Sequence, residues 1–243
     1  MFKPLCARYV FTATLMFGAV SPALTEAAAP DSTLYTTYTA ATDLKSASWI
    51  VCGSTAQSEG CYSSGSLEPF GHIGAMLEGQ PVVSGNTVTR EIYVLDVASG
   101  SSANGVSLFV YTKTDVVSAS NDQVTVTLNQ TIALPLVGGS TVVASMAANN
   151  SSLFVGTNQS TQAVRISKDQ WVVTPVGGFS PPQTVASVTA DINGYVTVTY
   201  GAPGGQFSDF IVFGPTGAVQ EDGGGANFIL NDLNAVVPAP LPF

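Results

Sequence analysis

The side chains of this 243-residue chain with most capacity for chemistry are its carboxylates. Asp209, Glu221 and Asp222 lie close together, and Glu59, Glu68, Glu78, Asp96 and Asp115 are spread ahead of them. Two carboxyls facing each other across a cleft, one with its pKa raised by burial, would suit acid–base cleavage of a polysaccharide by a hydrolase or lyase. With sixteen acids in the chain, most are expected simply to be solvated. His72 is the only histidine, so a Ser-His-Asp triad would have to pass through it, yet no serine stands in a G-x-S-x-G turn. A loop or packed histidine is the expectation. Zinc needs several His or Cys ligands, more than one histidine and a cysteine pair supply. Asp191-x-Asn193-Gly194 has the opening of a calcium loop without its later acidic ligands, and a turn explains it. No cofactor is therefore expected. Trp49, Trp171 and the tyrosines would stack on sugars in a lectin-like site, although aromatics in strands more often pack in a core. Asn149, Asn150 and Asn158 each begin an N-x-[ST] sequence, which this Asn/Ser/Thr-rich composition yields by chance.

Residues 1–29 read as a secretory signal: Lys3 and Arg8 give a basic start, Tyr9 to Val20 an apolar run too short to span a bilayer, and small residues follow. Cleavage after Ala23 or near Ala29 is expected, leaving a secreted, periplasmic or extracellular chain with no membrane span. Its loss removes Lys3, Arg8 and Glu26, so a formal charge of −9 becomes about −10. The remaining cations, Lys45, Arg90, Lys113, Arg165 and Lys168, are scattered. Binding a polyphosphate backbone takes clustered Lys and Arg, so nucleic acid is disfavoured as a partner, and an anionic membrane surface for the same reason. A protein or glycan ligand remains. Cys6 leaves with the signal; Cys52 and Cys61 stay, an even pair separated by the turn-forming GSTAQSEG. A disulfide is the expected reading in an exported protein, and closing so short a loop would stabilise by about 2.5–3 kcal/mol. Metal ligation by the pair would need further His or Cys nearby.

The elements that must position these residues read as short strands. A unit is written twice: Val143-Ala144-Ser145 recurs as Val185-Ala186-Ser187, and in the same register SSLFVGT, ending at Thr157, falls on NGYVTVT, ending at Thr199. This register sets Leu153 against Tyr195. Ala163 to Ile166 then corresponds to Phe210 to Phe213, and Val137-Gly138-Gly139 and Val176-Gly177-Gly178 punctuate the start of each copy. Copies about 40 residues apart mark four-stranded units that stack to bury their faces. Leu34 to Ala40, Ser48 to Cys52, Arg90 to Val97 and Val106 to Thr112 read as strands by their β-branched and aromatic content. Val124, Val126 and Leu128 alternate with Thr125 and Thr127, a strand with one apolar and one hydroxyl face. Asn193-Gly194 fits a two-residue hairpin turn, and Gly214-Pro215-Thr216-Gly217 turns a second hairpin. Phe228 to Leu230 and Ala235 to Val237 are expected as final strands, and 238–243 as a Pro-rich tail. Gly53 to Gly65, rich in Ser and Gly, and Gly71 to Gly74 carry no clear pattern.

DINGYVTV at Asp191 to Val198, FIVFGPTGAV at Phe210 to Val219, IYVLDVASG at Ile92 to Gly100 and LFVGTNQSTQAVRI at Leu153 to Ile166 resemble the hairpins of secreted bacterial β-propellers. The resemblance implies four-stranded antiparallel blades around a channel, with ligands held by loops at one end. It brings no catalytic residue. Strand starts near Ser48, Glu91, Ser152 and Gly194 are about 43, 61 and 42 residues apart, so the middle interval holds an insertion or a further blade. The expected protein is all-β, a single β-propeller-like domain over 30–237 with about five blades, or a two-sheet sandwich. Its expected role is binding or structural rather than catalytic.

Overall fold

β-Branched and aromatic residues alternate with polar ones along most of this chain, and charged residues make up only 9 %, which favours pleated strands over amphipathic helices. The computed structural model describes residues 33–41, 43–54, 59–99, 104–116, 123–178, 182–201 and 208–223. Among them are sixteen strands and no helix. The signal, the strands expected after Gly225 and the tail lie outside the described residues.

The strands form four sheets. β1 (Thr33–Ala40), β2 (Ala47–Ser54) and β3 (Glu59–Ser66) make the first, in that order. The second runs β4 (Ile73–Glu78), β6 (Thr87–Asp96), β7 (Ser107–Val116), β8 (Gln123–Ala133), with the short β5 (Val82–Ser84) also paired to β6. β9 (Ala144–Ala148), β10 (Ser152–Thr157), β11 (Gln162–Ser167) and β12 (Val173–Gly177) form the third, a meander in sequence order. β13 (Thr184–Ala190), β14 (Val196–Gly201), β15 (Ser208–Phe213) and β16 (Val219–Gly223) form the fourth in the same way. Four sheets thus stand among the described residues, where about five were expected. The long interval from Glu91 to Ser152 holds most of β6 and the extended strands β7 and β8, while β5 lies ahead of it. β3 and β4 form in the stretch whose Gly and Ser content hid any strand signal.

Two compact units divide these elements. The first holds β1 to β3 together with Val82–Thr89 and Thr114–Val126. Within it Trp49 is buried beneath Gly65, where a Cβ would lie 2.7 Å from the indole, so only glycine lets β3 approach the ring. Trp49 is a packing residue. The second unit holds Phe70–Pro81, Arg90–Lys113 and the described chain from Thr127 onward.

Inside the second unit the third sheet is buried on both faces. Leu153 and Val155 of β10 enter a core with Tyr93 and Leu95 of β6, Val97 just beyond it, and Leu108 and Val110 of β7. Phe154, one residue along, points the other way into a core with Val196, Val198 and Tyr200 of β14 and Phe213 of β15. The Phe154 and Phe213 rings lie 4.7 Å apart. The first strands of the three sheets are neighbours: β4 touches β9, and β9 touches β13.

The repeat carries a one-residue difference. In the first copy Asn149 N–H donates to Ser152 O, closing a two-residue turn; in the second Asp191 N–H donates to Tyr195 O, enclosing Ile192, Asn193 and Gly194. The expected two-residue turn at Asn193-Gly194 is therefore a three-residue loop, with Gly194 at φ 81° supplying its left-handed position. β9 pairs Ala147 with Phe154, whereas β13 pairs Thr189 with Thr197, so Phe154 corresponds to Thr197 and not to Val196. An extra residue flips every later side chain to the other face. The Leu153–Tyr195 equivalence fails for this reason: Leu153 is fully buried, while Tyr195 is half-buried at the loop's end.

Candidate functional site

The turns at one end of the third and fourth sheets are tied together by side chains the sequence placed far apart. Asn149, only 6 % exposed, is the hub. Its Oδ1 accepts the N–H groups of Ser151 at 3.0 Å and Ser152 at 2.8 Å, and its Nδ2 donates to the Gly214 carbonyl at 3.1 Å. An Asn suits this place because one amide both accepts from its own turn and donates to the next sheet. Ser151 Oγ lies 3.2 Å from Pro215 O, and Arg165 of β11 donates through Nε to Ser152 Oγ at 3.1 Å. The β13–β14 loop joins them, since a Cβ on Gly194 would stand 3.5 Å from Pro215 and 3.7 Å from Asn149.

The β11–β12 turn continues this end. Ser151 O accepts the Lys168 N–H at 2.9 Å, and the Lys168 ammonium sits 5.5 Å from the centroid of the Tyr93 ring. Tyr93 O–H donates to Glu91 Oε2. Burial raises the Tyr93 phenol well above its usual range, and the hydrogen bond to Glu91 and that residue's charge push the same way. Burial lowers the Lys168 amine, while the Glu91 charge opposes the shift. The ring face also favours the ammonium form, so it limits the lowering further. Trp171 adopts φ 57°, a left-handed conformation that costs a bulky residue about 1–2 kcal/mol. The turn is held by Trp171 N–H to Ser167 O at 2.9 Å and Ser167 N–H to Val172 O at 3.0 Å. The half-buried Trp171 ring packs against the core that includes Tyr93.

This end therefore offers an aromatic ring, an amine, a guanidinium, the exposed amides of Asn150 and Asn193, and the exposed Ile192. Trp171 and Lys168 lie on the Tyr93 side of the third sheet and Arg165 on the opposite side with Phe154, so the ring and the amine are the pair that can stack on a sugar or apolar face and hydrogen-bond its hydroxyls. Trp171 was visible in the sequence as a stacking candidate. The contact of Lys168 with Tyr93 and Glu91 was not, because packing between two sheets brings it about.

Of the eight acids singled out in the sequence, Asp96, Glu78 and Asp209 are engaged in structural bonds away from this end. Asp96, 2 % exposed, accepts the N–H groups of Gly71 at 2.8 Å, His72 at 2.9 Å and Ala98 at 2.9 Å, fixing the entry to β4 and the exit from β6. His72 takes part through its backbone, its carbonyl accepting from Val97 N–H. Glu78 pairs with Arg90 at 3.3 Å. Asp209 accepts from Gln183 Nε2 at the start of β15. Asp115 is buried on β7, and Glu68 is exposed. Asp191 Oδ1 accepts the N–H groups of Asn193 and Tyr195, the turn role expected of it. Asn158 Oδ1 accepts from Val143 N–H. The side chains of Glu59, Glu221, Asp222, Cys52 and Cys61 lie outside the described residues. Among the described residues, no group of three or more His, Cys, Asp or Glu is placed to hold a metal ion, and no helix is long and apolar enough to cross a membrane. No protein-family model and no curated protein matches this chain.

Proposed function

We propose that this is an exported, β-propeller-like protein that binds a glycan or protein partner at the turn end of its last two sheets and catalyses no reaction. The observation that carries the reading is the Trp171 turn: a strained backbone that holds a half-buried aromatic ring against the core that includes Tyr93, the ring over which the Lys168 ammonium sits. Strain of this kind persists where the surroundings over-determine it, and such places are often ligand clamps. The use of Asp96, Asp209 and Glu78 in fixed structural bonds supports a binder over a hydrolase or lyase, whose paired carboxyls must stay free to exchange protons. A propeller-like arrangement is supported by the side-by-side first strands β4, β9 and β13, since blades meet through their inner strands.

The test is a thermal-shift and tryptophan-emission screen of the mature chain against neutral and acidic glycans and calcium. A shift that vanishes in Trp171→Ala is expected for at least one glycan class. Glycan cleavage, or binding indifferent to Trp171, would refute the reading. Export also carries the expected disulfide: the β2–β3 register sets Cys52 opposite Cys61 along the backbone, and thiol alkylation before and after reduction is expected to differ by two labels.

A further inference from the structure

We propose that the outer edge of β8 is a self-pairing surface, through which a second copy of this chain adds antiparallel to the second sheet. β8 ends the path β4-β6-β7-β8, so among the described residues no strand bonds to its outer edge. With eleven residues it is the longest described strand, about 37 Å at 3.4 Å per residue. Long free edges are ordinarily kept from pairing by Lys, Pro or an inward charge. The β8 sequence QVTVTLNQTIA has no charge and no proline. In a chain of formal charge −9, it is a place where two copies meet without like-charge repulsion.

The strand is also complementary to its own reverse. With Leu128 on a two-fold axis, Val124 faces Ile132, Thr125 faces Thr131, Val126 faces Gln130, and Thr127 faces Asn129. Facing residues of an antiparallel pair share a sheet face, so the half-buried side (Val124, Val126, Gln130, Ile132) and the exposed hydroxyl and amide side (Thr125, Thr127, Asn129, Thr131) both continue into the second copy. The exposures match this division: Thr125, Thr127, Asn129 and Thr131 are exposed, and Val124, Val126 and Ile132 are half-buried. Leu128 alone breaks the alternation, at 37 % exposed, and it is the residue that meets its own copy on the axis. Such an isologous contact closes at two copies. A single strand edge buries little area, so the dimer is weak and concentration-dependent.

Sedimentation velocity of the mature chain over a concentration series tests this. The wild-type chain is expected to pass from monomer to dimer as concentration rises towards millimolar. A Thr125→Lys/Thr131→Lys variant and a Thr125→Glu/Thr131→Glu variant each set like charges face to face in two identical copies. Each is expected to weaken dimerisation about tenfold or more, with circular dichroism unchanged because both positions are exposed. Mixing the two variants sets opposite charges face to face and restores a one-to-one dimer. A wild-type chain monomeric throughout, variants that dimerise like wild type, or a mixture that stays monomeric would each overturn the proposal.

Discussion

Replacing Asp96 by Ala removes the acceptor for three backbone N–H groups, those of Gly71, His72 and Ala98, at 2.8, 2.9 and 2.9 Å. A hydrogen bond to a charged acceptor contributes about 1.5–3 kcal/mol, so three taken separately would reach about 4.5–9 kcal/mol. That sum is too large, because one carboxylate serves all three and had to be desolvated once to do so, its residue being 2 % exposed. A loss of about 3–4 kcal/mol is expected for Asp96→Ala. With a urea m-value of about 2–3 kcal/mol per M, the midpoint falls by about 1–2 M. Asp96→Asn keeps one acceptor oxygen for His72 and Ala98 but turns an N–H donor toward the Gly71 amide, so it should lose about half as much. The assay is urea unfolding followed by Trp171 emission in a Trp49→Phe background, so that the signal reports the second unit. A midpoint for Asp96→Ala within about 0.3 M of the parent, or Asn as damaging as Ala, would show that the carboxylate does not fix these loops.

Three other perturbations probe different parts of the second unit. Tyr93 has its folded pKa raised by burial and by Glu91, so its stabilising contribution is complete below its unfolded pKa of about 10 and is lost as pH climbs above that. Tyr93→Phe should flatten the alkaline fall in stability by up to about 1.4 kcal/mol per pH unit, read by urea unfolding between pH 9 and 11.5; an unchanged slope would contradict the burial argument. Asn149→Ala should cost about 2–3 kcal/mol by orphaning the amides of Ser151 and Ser152 and the Gly214 carbonyl, whereas Asn149→Asp, which keeps the acceptor, should cost about 1–2 kcal/mol; equal losses would exclude a specific role for Nδ2. Leu153→Ala should cost about 2–5 kcal/mol and Tyr195→Ala about 1 kcal/mol, because the first is fully buried and the second is not; comparable losses would restore the equivalence that the loop length removes.

Strand identity was legible in β8 from alternation, because one face is half-buried and the other exposed, and in β10 and β14 from β-branched and aromatic content, since both are buried on both faces. The Asn-Gly and Gly-Pro-Thr-Gly turns were legible for the same local reason, the backbone angles those residues allow. β3 was not, since GCYSSGS takes its strand conformation from pairing with β2. Of the candidate site, Trp171 and the tyrosines stood out as stacking candidates, and Asn149 only as the start of an N-x-[ST] sequence. The contact of Lys168 with Tyr93 joins residues 75 positions apart and leaves no spacing to read.

By itself, then, the sequence determined an all-β chain, a duplicated meander near its end and the two unlike faces of β8, because these follow from local propensity and periodicity. The tertiary structure decided which face meets which neighbour. One residue added to the β13–β14 loop sends Thr197, not Val196, to the place that Phe154 holds in the preceding sheet, and no local preference records that choice. It also decided what the acids do, since a carboxylate's role depends on the amides and amines that distant strands bring to it.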